Sequence, residues 1–223
     1  MFVDGDDWLS EDACETLLKG MREYRADCCV GRCVTVLDRD GELSPLSGKE
    51  EGTRCETAEE AMKNVLLNKS SACNRLYHRD VFSDLCFPAG RINEDEPLVL
   101  RAYERMEKIV FLDADTYFYR KRPGSITTSR FSLKMLDCVT NSRENLEFVR
   151  EKKPELTPCA EYKYIKTMLW CYVNLGKVRK EEKAQAKEQR RKLRTDIRVS
   201  RRAALKNPYL SLPLKLLTVL CAL

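Results

Sequence analysis

The chain has 223 residues, 43% of them hydrophobic and 34% charged, enough apolar material for a packed core and too much for global disorder. Its net charge of +5 is uneven, because residues 177–206 hold thirteen Lys or Arg against four Asp or Glu, a local +9 that leaves −4 elsewhere. A basic balance confined to one segment points to contact with a localised anionic surface and away from a protein that coats nucleic acid along its whole face.

In chain order, Met1 to Val3 is a short apolar run that predicts a strand ending at Asp4-Gly5-Asp6-Asp7, with carboxylates at its carboxyl end, where ligand sites concentrate. A helix is expected from Glu11 to Tyr24, with Ser10 as N-cap and Leu17, Leu18 and Met21 on one face. Ala26 to Leu37 reads as β-structure, followed by a turn at Asp38 to Gly41 in which Asp40-Gly41 is a hairpin signal. Ser44 to Glu56 is a polar linker, and Thr57-Ala58-Glu59-Glu60 is a capping box opening a helix that runs to Asn68.

A loop or short strand is expected over Ala72 to Tyr77, then a helix over Glu94 to Glu107 with Pro97 in its first turn, where a missing N–H costs little. Lys108 to Leu112 and Thr116 to Lys121 read as two short strands. From Thr128 onward the pattern turns to charged helices broken near Pro154 and Pro158, which sets a boundary near residue 128. The mixture of elements predicts an α/β class.

The eleven cysteines form no CxxC pair, and His78 is the sole histidine. No secretory signal is recognisable, so the thiols read as small buried hydrophobes in a reducing cytoplasm. No stretch reaches the ~18 to 20 apolar residues that cross a bilayer. Pro208 to Leu223 comes closest, but Pro213 and Lys215 interrupt it, and it reads as an interfacial segment.

Asp4-Gly5-Asp6 places two carboxylates around one small residue, a spacing that can hold a hard divalent cation together with a diphosphate. By itself it reads as an acidic solvated turn or helix cap. Context sharpens it. The run Phe2 to Leu9 resembles the family 2 glycosyltransferase pattern of an apolar strand followed by Asp-Ser-Asp-Asp-Trp, with Gly5 in the serine position. Further matches follow in family order: Ser71 to Tyr77 with Arg79-Asp80 and Phe87-Pro88, then Asn93-Glu94-Asp95, then Tyr117 to Ile126. Together they cover about residues 1–130.

The resemblance implies the C-terminal half of a GT-A domain over residues 1–128, a Rossmann-like nucleotide-diphospho-sugar transferase fold, followed by a helical, basic region over 129–223. It implies a nucleotide-sugar donor, a divalent cation (Mg or Mn), and transfer with inversion to a glycan or lipid-linked hydroxyl. Asp4 would lie near the ribose or base, Asp6 would meet the metal with Asp4 nearby, and Asp95, beside Glu94, would be the general base. Arg120 or Arg122 would balance the diphosphate, whose oxygens suit an arginine fork. Without the resemblance, Glu94 and Asp95 read as acids favoured by a helix dipole, and the arginines as a solvated strand end.

A complete GT-A domain begins with roughly 80 to 100 residues of βαβ units ahead of the aspartates, so this chain is expected to lack the first half of its nucleotide pocket, to aggregate through unpaired edges and to turn over no sugar nucleotide by itself. An anionic membrane surface on the inner face of the cell membrane is the partner expected for the tail. The alternative is an inactive remnant acting as a membrane-associated interaction protein. Nucleic acid is not expected, because residues 177–206 lack interleaved aromatics.

Overall fold

The computed structural model describes residues 1–39, 42–45, 52–68, 71–122 and 130–223. The chain divides into two compact units, one of Met1–Met62, Ser70–Cys86 and Leu98–Ser129, the other of Lys63–Lys69, Phe87–Pro97 and Arg130–Leu223.

The first unit is built on a mixed sheet. Its strands are β1 (Trp8–Leu9), β2 (Cys28–Arg39), β3 (Glu42–Pro45), β4 (Arg54–Thr57), β5 (Arg75–Tyr77) and β6 (Lys108–Lys121). The order β1-β6-β2-β3 has a parallel β2–β6 pair at its centre, with β4 antiparallel to β6 and β5 antiparallel to β2. Helix α1 (Ala13–Tyr24) packs on that pair, burying Leu17 against Cys29 and Val110. Each such side chain contributes about 1.5–3 kcal/mol on burial.

Several expectations shift. Phe2 makes only an isolated parallel bridge to Cys73, so Met1 to Val3 is not a full strand, and the chain after the aspartates runs on as β1. Helix α1 starts at Ala13, two residues later than its expected start at Glu11. The residue before it is Asp12, whose carboxylate accepts from the Thr16 hydroxyl at 3.1 Å, while Ser10 contributes its carbonyl to the Ala13 N–H. Leu18 is 40% exposed, because the buried face runs through Ala13, Leu17 and Gly20.

The polar linker contributes β4, whose exposed side chains hide its role as a partner of β6. Arg39 faces Glu42 across the β2–β3 hairpin, while Asp40 and Gly41 lie outside the described residues. Lys108 to Lys121 is one strand and not two. Its register against β2 shifts between Val30 and Arg32, where Arg32 pairs with Asp113 and Asp115 at 2.5 Å each. The bulge keeps the chain in one strand while the alternation slips. Gly31 stands at this point, and a Cβ there would fall 1.8 Å from Thr116 Oγ1.

The capping box forms as its spacing implies. Glu60 Oε2 accepts from the Thr57 N–H at 2.8 Å, and the Glu60 N–H donates back to Thr57 Oγ1 at 3.3 Å, at the start of α2 (Ala58–Leu67). The next helix, α3 (Asp95–Glu104), is shorter than expected at both ends.

The second unit is helical: α4 (Asp137–Lys152), α5 (Thr157–Asn174), α6 (Lys183–Lys206) and α7 (Leu212–Ala222). Pro154 opens a 3-10 turn and Pro158 sits in the first turn of α5, both at the breaks their lack of an N–H demands. Met168, Leu169 and Cys171 of α5 and Ile197 of α6 are buried in this unit. No helix of the described residues is long and apolar enough to cross a membrane.

Candidate functional site

In the first unit, Asp4 to Asp7 form a turn closed by the Asp7 N–H donating to the Asp4 carbonyl at 3.1 Å. The turn is tied to β6. Pairing of Trp8 with Phe118 and of Leu9 with Tyr117 sets the register, and the Trp8 and Phe118 rings stack 5.6 Å apart. The buried Tyr117 hydroxyl accepts from the Asp4 N–H at 3.2 Å and donates to Asp7 Oδ2 at 2.6 Å. The other Asp7 oxygen accepts from the Arg120 backbone N–H at 2.8 Å.

Both Asp7 oxygens are thus engaged by protein donors. Burial pushes its carboxyl above the usual range, the bonds from Tyr117 and Arg120 pull it back, and the charges of Asp4 and Asp6 add to the rise. Burial, followed by the bond to Asp7, raises the Tyr117 hydroxyl and keeps it a donor. Asp7 is the anchor of the turn, a role its spacing alone leaves open.

Asp4 is exposed, and Asp6 is half-exposed with its Oδ2 3.1 Å from the Arg122 guanidinium. The structure therefore brings Asp6 and Arg122 together. Arg120 points its guanidinium to Asp38, with Nε 2.8 Å and Nη2 2.6 Å from Oδ2 of that buried carboxylate. Asp38 was missed from sequence, where it reads as part of a turn; its one signal is an acid placed directly after the β-like run that ends at Leu37. Of the fourth motif, Tyr117 to Arg122 are described and residues 123–126 lie outside the described residues.

Asn74, from the second motif, adopts a left-handed backbone (φ 57°) and brackets the glycine of β2, donating its amide to the Gly31 carbonyl at 2.8 Å while its own carbonyl accepts from the Gly31 N–H at 2.9 Å. It shapes the sheet. His78 is on the surface.

Glu94 and Asp95 belong to the second unit, half-buried at the entry to α3. The loop before them turns through left-handed residues at Gly90 (φ 75°) and Asn93 (φ 53°). Helix α4 grips that loop. The buried Asn141 amide donates to the Ile92 and Asn93 carbonyls at 3.0 Å each, Asp137 accepts from the Ile92 N–H at 3.2 Å, and Glu144 pairs with Arg91 at 2.7 Å. One residue past Asp95, Glu96 forms a largely buried ion pair with Lys163 of α5 at 2.9 Å. These supports lie 45 residues or more from the loop in sequence, and no motif announces them.

Among the described residues, no three His, Cys, Asp or Glu are grouped to hold a metal ion. The acidic turn nevertheless fits an ion of the Mg or Mn type, which is held by one or two carboxylates plus substrate phosphates and keeps its remaining waters. Asp4 and Asp6 are accessible for this and Asp7 is not.

Residues 1–86 match the model of Glycosyl transferase family 2. Glycosyltransferase GlyA of Streptococcus pneumoniae serotype 4 is 31% identical over 150 residues, covering 62% of this chain and 22% of GlyA. Glycosyltransferase GlyG of the same organism is 30% identical over 157 residues, covering 61% of this chain and 52% of GlyG. In fold, the chain is similar to S. aureus TarS 1-349 in complex with UDP-GlcNAc, with a TM-score of 0.60 at 17% identity over 91% of this chain and 56% of TarS. TarS 1-349 without that title ligand gives a TM-score of 0.57. The chain spans about half the length of GlyG and of the TarS chain, and less of GlyA. The match over the acidic turn and the two glycosyltransferase relatives make residues 1–86 similar to glycosyl transferase family 2, and the mixed sheet with its surrounding helices gives the chain an α/β fold like that of TarS.

Proposed function

We propose that the chain serves transfer of a sugar from a nucleotide-sugar donor to a glycan or lipid-linked hydroxyl, with inversion, in cell-surface polysaccharide synthesis. The observation that carries this reading is the acidic turn: Asp4 and Asp6 remain accessible while Asp7, Tyr117 and the Arg120 backbone hold their loop in place. Asp4 and Asp6 would hold a divalent cation, which when bound neutralises charge on the diphosphate. Arg122, exposed beside Asp6, is the arginine suited to the leaving diphosphate, with Arg120 supporting the strand through Asp38.

Asp95 takes the proton of the acceptor hydroxyl as that oxygen attacks the anomeric carbon from the face opposite the diphosphate, and Glu94 supplies neighbouring negative charge. In this reading residues 1–128 form the partial GT-A domain and 129–223 the basic helical region, and the protein works in the cytoplasm, peripheral on the inner face of the membrane. Because TarS was solved with UDP-GlcNAc, that nucleotide sugar is the first donor to test.

Calorimetric titration of UDP-GlcNAc and other nucleotide sugars in the presence of Mn²⁺ is expected to show binding that Asp6→Ala abolishes, whereas equal binding by both proteins overturns the reading. A second reading, an inactive protein acting as a membrane-associated interaction partner, is favoured by the basic α6 packed beside the apolar α7. Donor binding without nucleoside diphosphate release above an Asp95→Asn control would select it.

A further inference from the structure

Helix α7 presents two unlike faces. Thr218, Cys221 and Ala222 are buried, whereas Leu212, Leu216, Leu220 and Leu223 are 69%, 56%, 66% and 74% exposed. Steps of four, four and three place these four leucines on one stripe. No acidic residue occurs from Asn207 to Leu223.

The carboxyl end of the helix is lined by arginines of α6. Arg198 Nε donates to the Ala222 carbonyl at 3.0 Å, and Arg190 and Arg194 act electrostatically on the Cys221 thiol. The last two are steered by Tyr172, with the Arg190 guanidinium 4.5 Å from its ring centroid and Arg194 Nη2 2.9 Å from its hydroxyl. All three arginines are exposed.

We propose that α7 is an interfacial element: its leucine stripe inserts into the acyl boundary of an anionic bilayer while Arg190, Arg194 and Arg198 meet the lipid phosphates. The proposal rests on the peripheral-membrane reading above and names the element that performs it. Two observations choose lipid over a protein partner. The four leucines offer on the order of 500 Å², the size of the largest apolar patch on an ordinary monomer and short of the roughly 800 Å² per partner in a stable protein pair. An apolar stripe beside a cationic face, with no acid on the stripe's own helix, has the charge complement of an anionic headgroup layer.

The test is co-sedimentation of the full chain with vesicles of phosphatidylglycerol mixed with phosphatidylcholine, against pure phosphatidylcholine. The wild type is expected to sediment with the anionic vesicles only. Leu216→Glu/Leu220→Glu is expected to lower its partition at least tenfold, and Leu216→Ser/Leu220→Ser to weaken it in the same direction, with circular dichroism and melting midpoint unchanged. Arg190→Gln/Arg194→Gln should lower partition less and flatten its salt dependence. Wild-type binding that the leucine variants retain overturns the insertion role and leaves the membrane reading standing on α6. Absence of wild-type binding overturns both. A concentration-dependent dimer lost in the leucine variants, without vesicle binding, assigns the stripe to a second copy and overturns the lipid proposal.

Discussion

The two units hold their chemically important segments by opposite means. In the strand-rich unit the acidic turn is secured by its immediate sheet partner: one tyrosine hydroxyl and one backbone N–H of β6 satisfy Asp7. In the helical unit the loop carrying Glu94 and Asp95 is secured by side chains of α4 and α5, through Asn141, Asp137, Glu144 and Lys163. Backbone register suffices where a neighbouring strand lies alongside; an irregular loop against helices has no ladder and needs side-chain amides and charges to satisfy its carbonyls and N–H groups. The first arrangement fails locally when one hydroxyl is lost, whereas the second depends on a shared polar network and fails together.

The largest expected effect follows from that network. Lys163→Met leaves Glu96 largely buried without its cation and removes the donor to the Asn68 carbonyl; it should cost about 3–5 kcal/mol in urea unfolding. Double substitution to Lys163→Met/Glu96→Leu should recover most of that loss, and failure to recover would show that the pair is not the element that matters. Gly31→Ala comes next, because the added methyl must displace Thr116 and disturb the β2–β6 pair; a cost of roughly 1–3 kcal/mol is expected.

Tyr117→Phe should cost about 1–2 kcal/mol, since Asp7 loses a donor and the Asp4 N–H its acceptor. Hydrogen exchange at residues 4–7 should accelerate while exchange in α4 and α5 stays unchanged, a locality the comparison requires.

The smallest effect concerns the capping box. The Thr57 N–H and hydroxyl hold the Glu60 carboxyl below the usual carboxylate range, so the unfolded chain binds this proton more readily than the folded one. The contribution is therefore present above the unfolded pKa and is lost as pH falls through the folded one. Thr57→Val should lower the melting midpoint slightly at neutral pH, and the difference should narrow in acid to what the Glu60 N–H bond to Thr57 Oγ1 contributes.

What could be seen beforehand depended on range. Helix α1, β2, the Thr57–Glu60 box and the breaks at Pro154 and Pro158 are written in local periodicity and capping chemistry, and each appears within a few residues of its expected place. Leu18 was misplaced because three apolar residues in a helix define an arc whose centre periodicity fixes only loosely. Strand β4 was invisible because its side chains are almost all exposed and show no alternation. The continuity of β6 was hidden by the slip at Asp113 to Asp115, which breaks the alternation without ending the strand.

In the candidate site, the acidic turn and the Glu94-Asp95 pair were legible as motifs. Their supports were not, since Asp7–Tyr117 joins residues 110 positions apart and Arg120–Asp38 joins residues 82 apart. Such pairs exist only once β1 and β2 have been brought into register with β6.

The contact between Gly31 and Thr116 has a consequence for how this sheet can drift over evolutionary time. The two positions are 85 apart, yet position 31 cannot gain a side chain alone: a Cβ at 31 would meet Oγ1, Cβ and Cγ2 of Thr116 at 1.8, 2.9 and 3.0 Å. Substitutions at 31 and 116 should therefore travel as a pair across descendants of this chain. Trimming Thr116 to alanine would relieve the hydroxyl and methyl but leave its Cβ close, so the route away from glycine passes through a partly compensated intermediate, and the bulge beneath the parallel pair persists while the surface around it is free to vary.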